Sequence, residues 1–268
     1  RSKKLAFIHE VAKEVWWTNH LHFPINYLFG AIGFLLEPWI FKLFYRRIPF
    51  LTVSQSTKDD LVNWSISPSN IHIIPNGITT LPVKYSKEKQ PAIIFLGAIA
   101  KDKGIEDALA AFSRIVKLYP QWQLWVIGKS EPIYQAKLNE LILHLGINSQ
   151  PKFWGFVNES KKFELLSRAS VMLNPSAREG WGLVNIEANS VGTPVVAYNV
   201  PGCRDSIQNQ ITGFLCPKGD ISCLAETCVQ LVSDNRLYEK ISTQAKQWSL
   251  QFSWAKSTSI SLKLIESL

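Results

Sequence analysis

Short apolar runs alternate with amphipathic stretches along the chain after residue 90. The apolar runs predict strands at 92–97, 123–128, 152–155, 171–174, 194–198 and 213–216. The stretches between them carry apolar residues at helical spacing, as in the segment from Ile105 to Leu118, which Pro120 closes. Residues 221–250 and 254–268 have the helical pattern alone. Strands that alternate with helices in this way are typical of a doubly wound, parallel α/β sheet.

The region before residue 80 shows a shorter version of this pattern. The apolar runs 5–8 and 50–54 predict strands. The segment 56–61, Ser-Thr-Lys-Asp-Asp-Leu, predicts a helix N-cap with acidic residues in the first turn. The polar, lysine-containing segment 81–90 predicts a linker, so we expect two domains that meet near residue 80.

Residues 24–47 are rich in Phe, Leu, Ile, Trp and Tyr, with Glu37-Pro38 in the middle and Arg46-Arg47 at the end. Their uninterrupted apolar run is shorter than the roughly 18 residues of a membrane-spanning helix. Two interpretations stay open. Aromatic residues at helical spacing favour a core helix pair that is broken at Glu37-Pro38. The alternative is an interfacial segment that rests on lipid, with both arginines near the head groups.

The stretch 174–197 carries the most chemistry, because a strand, a glycine-rich loop, a helix that begins near Gly182 and a second strand follow one another there. Glu179 lies in the loop, and Glu187 lies about two turns into the helix. Gly180 and Gly182 allow a ligand to approach the backbone closely, and the helix N-terminus favours an anion or a hydroxyl-rich group. The simpler alternative is that Glu179 caps the helix and Glu187 is solvated.

Residues 179–188, Glu-Gly-Trp-Gly-Leu-Val-Asn-Ile-Glu-Ala, followed by Gly-Thr-Pro-Val-Val at 192–196, resemble the E-x7-E signature of retaining GT-B glycosyltransferases, specifically the large family four. The resemblance implies a GT-B, α/β fold with a doubly wound, Rossmann-like nucleotide-sugar domain over 81–250. It also implies a partial, acceptor-side Rossmann-like domain over 1–80, without its N-terminal portion. A terminal helix over 251–268 would cross back to the first domain.

The same resemblance assigns roles to individual residues. Glu179 would hold the donor sugar and Glu187 the ribose hydroxyls of the nucleotide. Lys103 matches a family lysine that holds the diphosphate, whereas Ala98 occupies the position of the family's arginine. This departure motivates the alternative of a catalytically impaired, nucleotide-binding or scaffolding protein. Arg178, Lys101 and Lys129 are candidates to replace the lost charge.

His9 and Val157 are the last two residues to which the resemblance assigns a role. His9 ends the first predicted strand, where family members place a histidine close to the donor sugar, although a capping or core histidine is the alternative. Val157 belongs to a Phe-x-Gly-x-Val phrase whose loop lies beside the base. The resemblance thus implies a catalytic set of Glu179, Lys103 and His9, and a donor-binding set of Glu187, Gly180, Trp181, Gly182, Leu183, Val157 and Arg178.

The composition and charge indicate which classes of binding partner are expected. The 268 residues are 46% hydrophobic, which is ample for packed cores, and the formal net charge of +8 suggests an anionic partner. No nucleic-acid-binding motif is present, and no G-x-G-x-x-G follows the first strand of the second domain, which argues against a nicotinamide dehydrogenase. The four cysteines form no C-x-x-C pair, so we expect reduced, packing residues in a cytoplasmic protein. His20 and His22 have no spacing that requires a metal.

We therefore expect transfer of a hexose from a UDP- or GDP-sugar to a glycan or lipid-linked acceptor, with retained anomeric configuration and without a cofactor or metal. Peripheral contact with the inner face of the membrane is a further expectation. Besides the scaffolding alternative, a GT-B epimerase or phosphorylase stays open, although we find no pyridoxal-phosphate lysine site for the latter.

Overall fold

The computed structural model describes residues 4–18, 24–79 and 88–268. The chain divides into two compact units, the first consisting of Arg1–Gly77 with Trp254–Leu268 and the second of Ile78–Ser253. Most of the predicted linker, 81–90, and both His20 and His22 lie outside the described residues.

The first unit contains a small parallel sheet of the order β1-β2-β3 in its described part. Its strands are β1 (Ala6–Ile8), β2 (Phe50–Thr52) and β3 (Ile71–Ile73), and its first helices are α1 (Ile25–Ile40) and α2 (Gln55–Asn63). Short 3-10 segments occupy Lys13–Thr18 and Pro68–Asn70. The two strands predicted in this region are confirmed. A small core joins the sheet to α2 through Val11, Phe50, Leu61, Trp64, Ile66 and Ile71.

The start of α2 differs from the prediction. The N-cap is Ser54, whose hydroxyl accepts the backbone N–H of Thr57 at 3.1 Å, and the first turn contains no acidic residue. The cap lies two residues earlier than expected because Ser54 still has the extended backbone of the preceding strand, which is the conformation that an N-cap requires.

Helix α1 corrects the expectation of a helix pair broken at Glu37-Pro38. The helix continues through Pro38, which has no N–H to donate to Phe34, into a π-helical segment, Phe41–Tyr45, and the N–H of Phe41 bonds to the carbonyls of Glu37 and Pro38. Most of its large apolar side chains are exposed, so in the described structure it is not a core helix. By length and composition alone, Ile25–Tyr45 suffices to cross a membrane, contrary to our estimate from the sequence.

The second unit is a parallel sheet with helices on both faces. Its strands are β4 (Gln90–Leu96), β5 (Gln123–Ile127), β6 (Pro151–Gly155), β7 (Ala169–Asn174), β8 (Val195–Tyr198) and β9 (Gly213–Cys216). Its helices are α3 (Ile105–Leu118), α4 (Pro132–Leu145), α5 (Glu159–Arg168), α6 (Leu183–Ser190), α7 (Cys203–Ser206), α8 (Ile221–Ser233) and α9 (Asn235–Ser249). All six strands predicted here are confirmed to within two residues at each end. The last helix, α10 (Trp254–Ser267), belongs to the first unit.

The strand order of this sheet is β6-β5-β4-β7-β8-β9, and all neighbours are parallel. The chain therefore runs outward from β4 to β6, and then returns to the other side of β4 with β7. At such a switch point the loops that follow the two central strands turn to opposite faces of the sheet and leave a crevice at the carboxyl ends. The loops 97–104 and 175–182 flank this crevice.

The cysteines also depart from the expectation of four reduced thiols. Cys216 at the end of β9 and Cys223 in the first turn of α8 form a disulfide, with their Cα atoms 5.8 Å apart. The turn between them folds α8 back along the sheet and brings together two residues whose spacing carries no recognisable motif. Cys203 and Cys228 are free and buried, and burial raises the pKa of each thiol to about 12, so both stay protonated.

Candidate functional site

The two loops at the switch point are joined by direct contacts. The backbone N–H of Ala177 donates to the carbonyl of Asp102 at 2.8 Å. Gly104 has a φ of +74°, and a Cβ atom there would collide with the carbonyl of Pro175, so only glycine permits this approach. As a result the side chain of Lys103 reaches the second loop, with its Nζ 3.0 Å from Glu179 Oε1.

A third loop, which follows β8, fixes the backbone of Glu179. The N–H of Glu179 donates to the carbonyl of Pro201 at 3.0 Å. Gly202 has a φ of +77°, and a Cβ atom at this position would strike the backbone of Glu179. The N–H of Gly202 in turn donates to the Asp205 carboxylate at 2.9 Å. Glu179 therefore has little freedom of position, as a residue that orients a ligand requires.

A buried chain of polar side chains leads from Glu179 into the interior. Ser176 Oγ lies 2.8 Å from Glu179 Oε1 and 2.7 Å from Asn174 Oδ1, and its proton serves one of these acceptors at a time. Asn174 donates to Asn185 Oδ1 at 2.8 Å, and Asn185 donates to Ser206 Oγ at 2.9 Å. These inner members are almost completely buried, so the chain joins β7, α6 and α7 behind the site.

Glu187 lies on α6, which begins after Gly182 as predicted. Its carboxylate is buried and pairs with Lys162 of α5, whose Nζ is 2.8 Å from Glu187 Oε1. Desolvation raises the pKa of Glu187 above its ordinary range, and the charge of Lys162 opposes that rise. Desolvation by itself would lower the pKa of Lys162, but the carboxylates of Glu187 and Glu159 outweigh it, and the pKa of Lys162 is raised. The ion pair therefore favours the charged form of each partner, against the desolvation that both experience.

A cavity of about 350 Å³ opens beside the loops that follow β4, β5 and β6. It is lined by Ile99, Gly128, Lys129, Ser130, Pro132, Gln135, Phe153 and Gly155. Most of the exposed lining is apolar, and Gly128 and Gly155 contribute backbone groups to it. Val157, the predicted base contact, is half-buried two residues beyond Gly155.

The remaining predicted residues take different positions. The ring of Trp181 is buried against Phe252 at a centroid distance of 5.1 Å, so only its backbone is left to meet a ligand. Arg178 is buried, whereas Gly180 and Leu183 are half-buried at the start of α6. Ala98 is exposed in the loop after β4.

His9 belongs to the other unit, where it follows β1 and is exposed. Its ring contacts Phe7 at 4.6 Å, and its carbonyl accepts the hydroxyl of Thr57. The role of His9 at a donor sugar stays a prediction. In the described residues no cluster of three or more His, Cys, Asp or Glu side chains is arranged to hold a metal ion.

Sequence reasoning missed three residues of this site. Ser176 and Asn185 lie inside the 174–197 stretch, where a buried asparagine in the middle of an apolar helix face was a usable signal. Lys162 had no such signal, because a lysine in the first turns of a polar helix ordinarily points to solvent.

Solved structures share this fold over nearly the whole chain. HepE from Anabaena, whose crystal structure contains UDP and glucose, superposes with a TM-score of 0.79 over 99% of this chain and 72% of its own, at 20% sequence identity. A likeness at this identity shows the fold alone. The fold is that of the GT-B glycosyltransferases, which confirms the predicted fold class.

Sequence comparison gives the family. The model for glycosyl transferases group 1 matches residues 78–248, which is most of the chain. The chain therefore belongs to the glycosyl transferases group 1 family.

Two curated relatives show how far the likeness extends. An uncharacterized glycosyltransferase from Haemophilus influenzae is 27% identical over 247 residues, which cover 91% of this chain and 67% of the relative. The glycogen synthase of Mycobacterium tuberculosis is 27% identical over 229 residues, which cover 82% of this chain and 53% of the relative. The chain thus spans between one half and two thirds of the length of these relatives.

Proposed function

We propose that the chain is the donor-binding part, with a portion of the acceptor-side domain, of a retaining family-four glycosyltransferase that takes a hexose from a UDP- or GDP-sugar. The observation that carries the proposal is the contact of Lys103 with Glu179 at the switch point, with Glu187 behind it on α6. The bound glucose and UDP of HepE support a hexose and UDP as the donor parts, and the glycogen synthase relative supports a glycan acceptor.

In this proposal each part of the donor has a place in the second unit. The base enters the cavity beside Val157, and Glu187 receives the ribose hydroxyls. Lys103 and the N–H groups near Gly182 hold the diphosphate, where they stabilise the charge that develops on the leaving group. Glu179 orients the sugar hydroxyls, and its fixed backbone makes that orientation effective.

The proposed reaction needs no cofactor from the protein. The bond between the anomeric carbon and the diphosphate oxygen breaks, and the acceptor oxygen bonds to the same carbon from the same face. The acceptor's proton passes to the departing diphosphate, which serves as the base. The product keeps the anomeric configuration of the donor.

Calorimetric titration of UDP and GDP into the chain and its Glu187→Ala variant tests the donor site. We expect one nucleotide to bind, and the variant to bind it at least about tenfold more weakly, since a carboxylate that accepts hydroxyl hydrogen bonds is lost. Transfer by the full-length protein, with the product anomer assigned by NMR, tests retention. A folded chain that binds neither nucleotide at millimolar concentration would contradict the proposal and favour the scaffolding alternative.

We also propose that the protein rests on a membrane surface, where it meets a lipid-linked acceptor. Helix α1 supports this. Its one acidic residue, Glu37, is turned inward and accepts hydrogen bonds from the N–H groups of Ala12 and Lys13 and from Trp16 Nε1. The outer face is therefore apolar, and Arg46 and Arg47 follow it, an arrangement that suits anionic lipid.

Vesicle sedimentation tests this contact. We expect the chain to bind vesicles that contain phosphatidylglycerol more strongly than pure phosphatidylcholine vesicles. The double variant Leu35→Glu, Leu43→Glu should lose binding, whereas the control Ile133→Glu, Leu143→Glu on α4, at comparably exposed positions, should keep it. Equal loss in both variants, or binding that ignores lipid charge, would contradict the proposal.

A further inference from the structure

Lys162 makes two ion pairs that differ in their surroundings. Its Nζ lies 2.8 Å from Glu187 Oε1 and 2.9 Å from Glu159 Oε1. The side chains of Lys162 and Glu187 are only 12% and 11% exposed, whereas that of Glu159 is 62% exposed. Water screens an exposed pair strongly and a buried pair weakly, so Glu187 is the partner that matters to Lys162.

Two charged groups of one helix shift the pKa of Glu187. Helix α6 packs against α5, α7 and α9 and against β7 and β8. Among the described residues, the charges that shift this pKa are those of Lys162, which attracts the carboxylate, and Glu159, which repels it, and both belong to α5. Without Lys162, a buried carboxylate in this position would face only desolvation and a like charge, and both disfavour ionisation.

The geometry leaves part of the carboxylate open. Lys162 donates to Oε1, and no side chain or backbone group of the described residues donates to Glu187 Oε2. An ionised carboxylate accepts several hydrogen bonds, so a held Oε1 still leaves lone pairs for two neighbouring hydroxyls. A protonated carboxyl group would offer fewer lone pairs to the hydroxyls, and its own O–H would need an acceptor.

We propose that Lys162 is a positioning residue, which holds Oε1 of Glu187 and turns the carboxylate so that it accepts the ribose hydroxyls of the donor nucleotide. This rests on the proposed donor site and extends it by one residue on a different helix. The alternative is a purely structural role, in which the ion pair of Lys162 only stabilises the packing of α5 against α6. Such a role would affect all ligands of the unit alike, whereas positioning acts on ligands that carry the hydroxyls.

Ribose analogues separate these two roles. We would measure the Kd of UDP, 2′-deoxy-UDP and 3′-deoxy-UDP, or the matching GDP set if GDP is the nucleotide that binds, at pH 6.5 and pH 8.5. Ratios between protein variants at each pH cancel the titration of the nucleotide itself. The variants are Lys162→Met, the conservative Lys162→Arg, and Lys161→Met as a matched control. Lys161 neighbours Lys162 on the same helix but pairs with the half-exposed Glu164.

The expected result is specific. The wild-type chain should prefer UDP over a deoxy analogue by about tenfold, and Lys162→Met should lose most of that preference at pH 6.5, as outer residues that orient a ligating group commonly cost tenfold or more. In this variant the preference should be larger at pH 8.5 than at pH 6.5, because loss of the Lys162 charge raises the pKa of Glu187 further and a higher pH favours the ionised carboxylate. Lys162→Arg should restore it at both pH values, and Lys161→Met should match the wild type. Thermal melting of each variant confirms that it is folded.

Two outcomes overturn the inference by itself. One is a Lys162→Met chain that keeps the wild-type preference for UDP. The other is a loss of UDP and deoxy-UDP binding in equal proportion at both pH values, which indicates a structural tie. A wild-type chain that binds UDP and its analogues equally, with Glu187→Ala unchanged, overturns the proposed ribose site as well, so the two failures are distinguishable.

Discussion

Lys103 Nζ lies 3.0 Å from Glu179 Oε1, so the residue proposed to hold the diphosphate and the residue proposed to hold the sugar form an ion pair. Both side chains keep some exposure, at 25% and 18%. The pair therefore contributes little to stability, on the order of 1 kcal/mol or less. Its importance lies in keeping both groups at the crevice, already oriented for a donor.

This relationship predicts opposite effects for its two members. Lys103→Ala should weaken UDP binding by about tenfold or more, since a charge-assisted contact to the diphosphate is lost. Glu179→Gln should leave UDP binding unchanged or slightly stronger, because Lys103 no longer has a competing carboxylate, and should weaken the added affinity of the sugar. Calorimetry with UDP and UDP-glucose measures both. Lys117→Ala, at an exposed position in the last turn of α3, is the control, and an equal loss in Lys117→Ala and Lys103→Ala would count against the assignment.

The buried hydrogen bonds of Asn185 lead to a prediction about stability. Replacing it with Ala should lower the free energy of unfolding by about 2–3 kcal/mol, because the buried amide of Asn174 and the hydroxyl of Ser206 each lose a partner. Urea denaturation measures the change. Asn139→Ala on α4, where the amide is exposed, should cost less than about 0.5 kcal/mol. Similar losses at the two positions would show that the buried chain of hydrogen bonds is unimportant.

The lowered pKa of Lys89 leads us to expect that the stability of the protein depends on pH. Desolvation, and secondarily the charge of Lys246, lower its pKa to about 7. In the unfolded chain the pKa is near 10.4, so between about pH 7 and pH 10 the unfolded state binds more protons and stability rises with pH. Below pH 7 both states are protonated and the penalty is constant.

The test compares Lys89→Met with the exposed-site control Lys240→Met on α9. The stability of the wild type relative to Lys89→Met should grow by about 1.4 kcal/mol per pH unit above pH 7. The control should run parallel to the wild type. A flat difference between wild type and Lys89→Met from pH 7 to pH 9 would mean that the amine is not held in a desolvated position, despite its bonds to Ala169 O and Thr193 Oγ1.

The disulfide predicts a response to reductant. Reduction of Cys216–Cys223 should cost about 2 kcal/mol for a loop of this length, or roughly 5 °C in melting temperature. The double variant Cys216→Ser, Cys223→Ser should melt at the reduced temperature and should not respond to reductant. Four free thiols in the denatured, unreduced wild type would instead restore the expectation of reduced cysteines.

The sequence was sufficient for the second unit, because β4, β5, β7 and β8 are mostly buried and show as apolar runs, and because glycines such as Gly104 and Gly202 mark the loops. It was insufficient wherever a side chain acts across elements. Lys162 on α5 meets Glu187 on α6 only through the packing of two helices, and the Cys216–Cys223 bond depends on how a turn closes. Helix α1 was misjudged because periodicity gives no information on what Pro38 or Glu37 does.

For the proposed membrane contact, Glu37 determines which topology α1 can adopt. A helix that crossed the bilayer would carry this carboxylate toward the hydrocarbon centre, at a cost of about 2.5–3.5 kcal/mol for the charge. It would also break the three hydrogen bonds that Glu37 accepts from the 12–16 segment. A monolayer contact keeps those bonds. The residues on either side of α1 then stay in the same aqueous compartment, and a protease added from that compartment alone should reach both flanks.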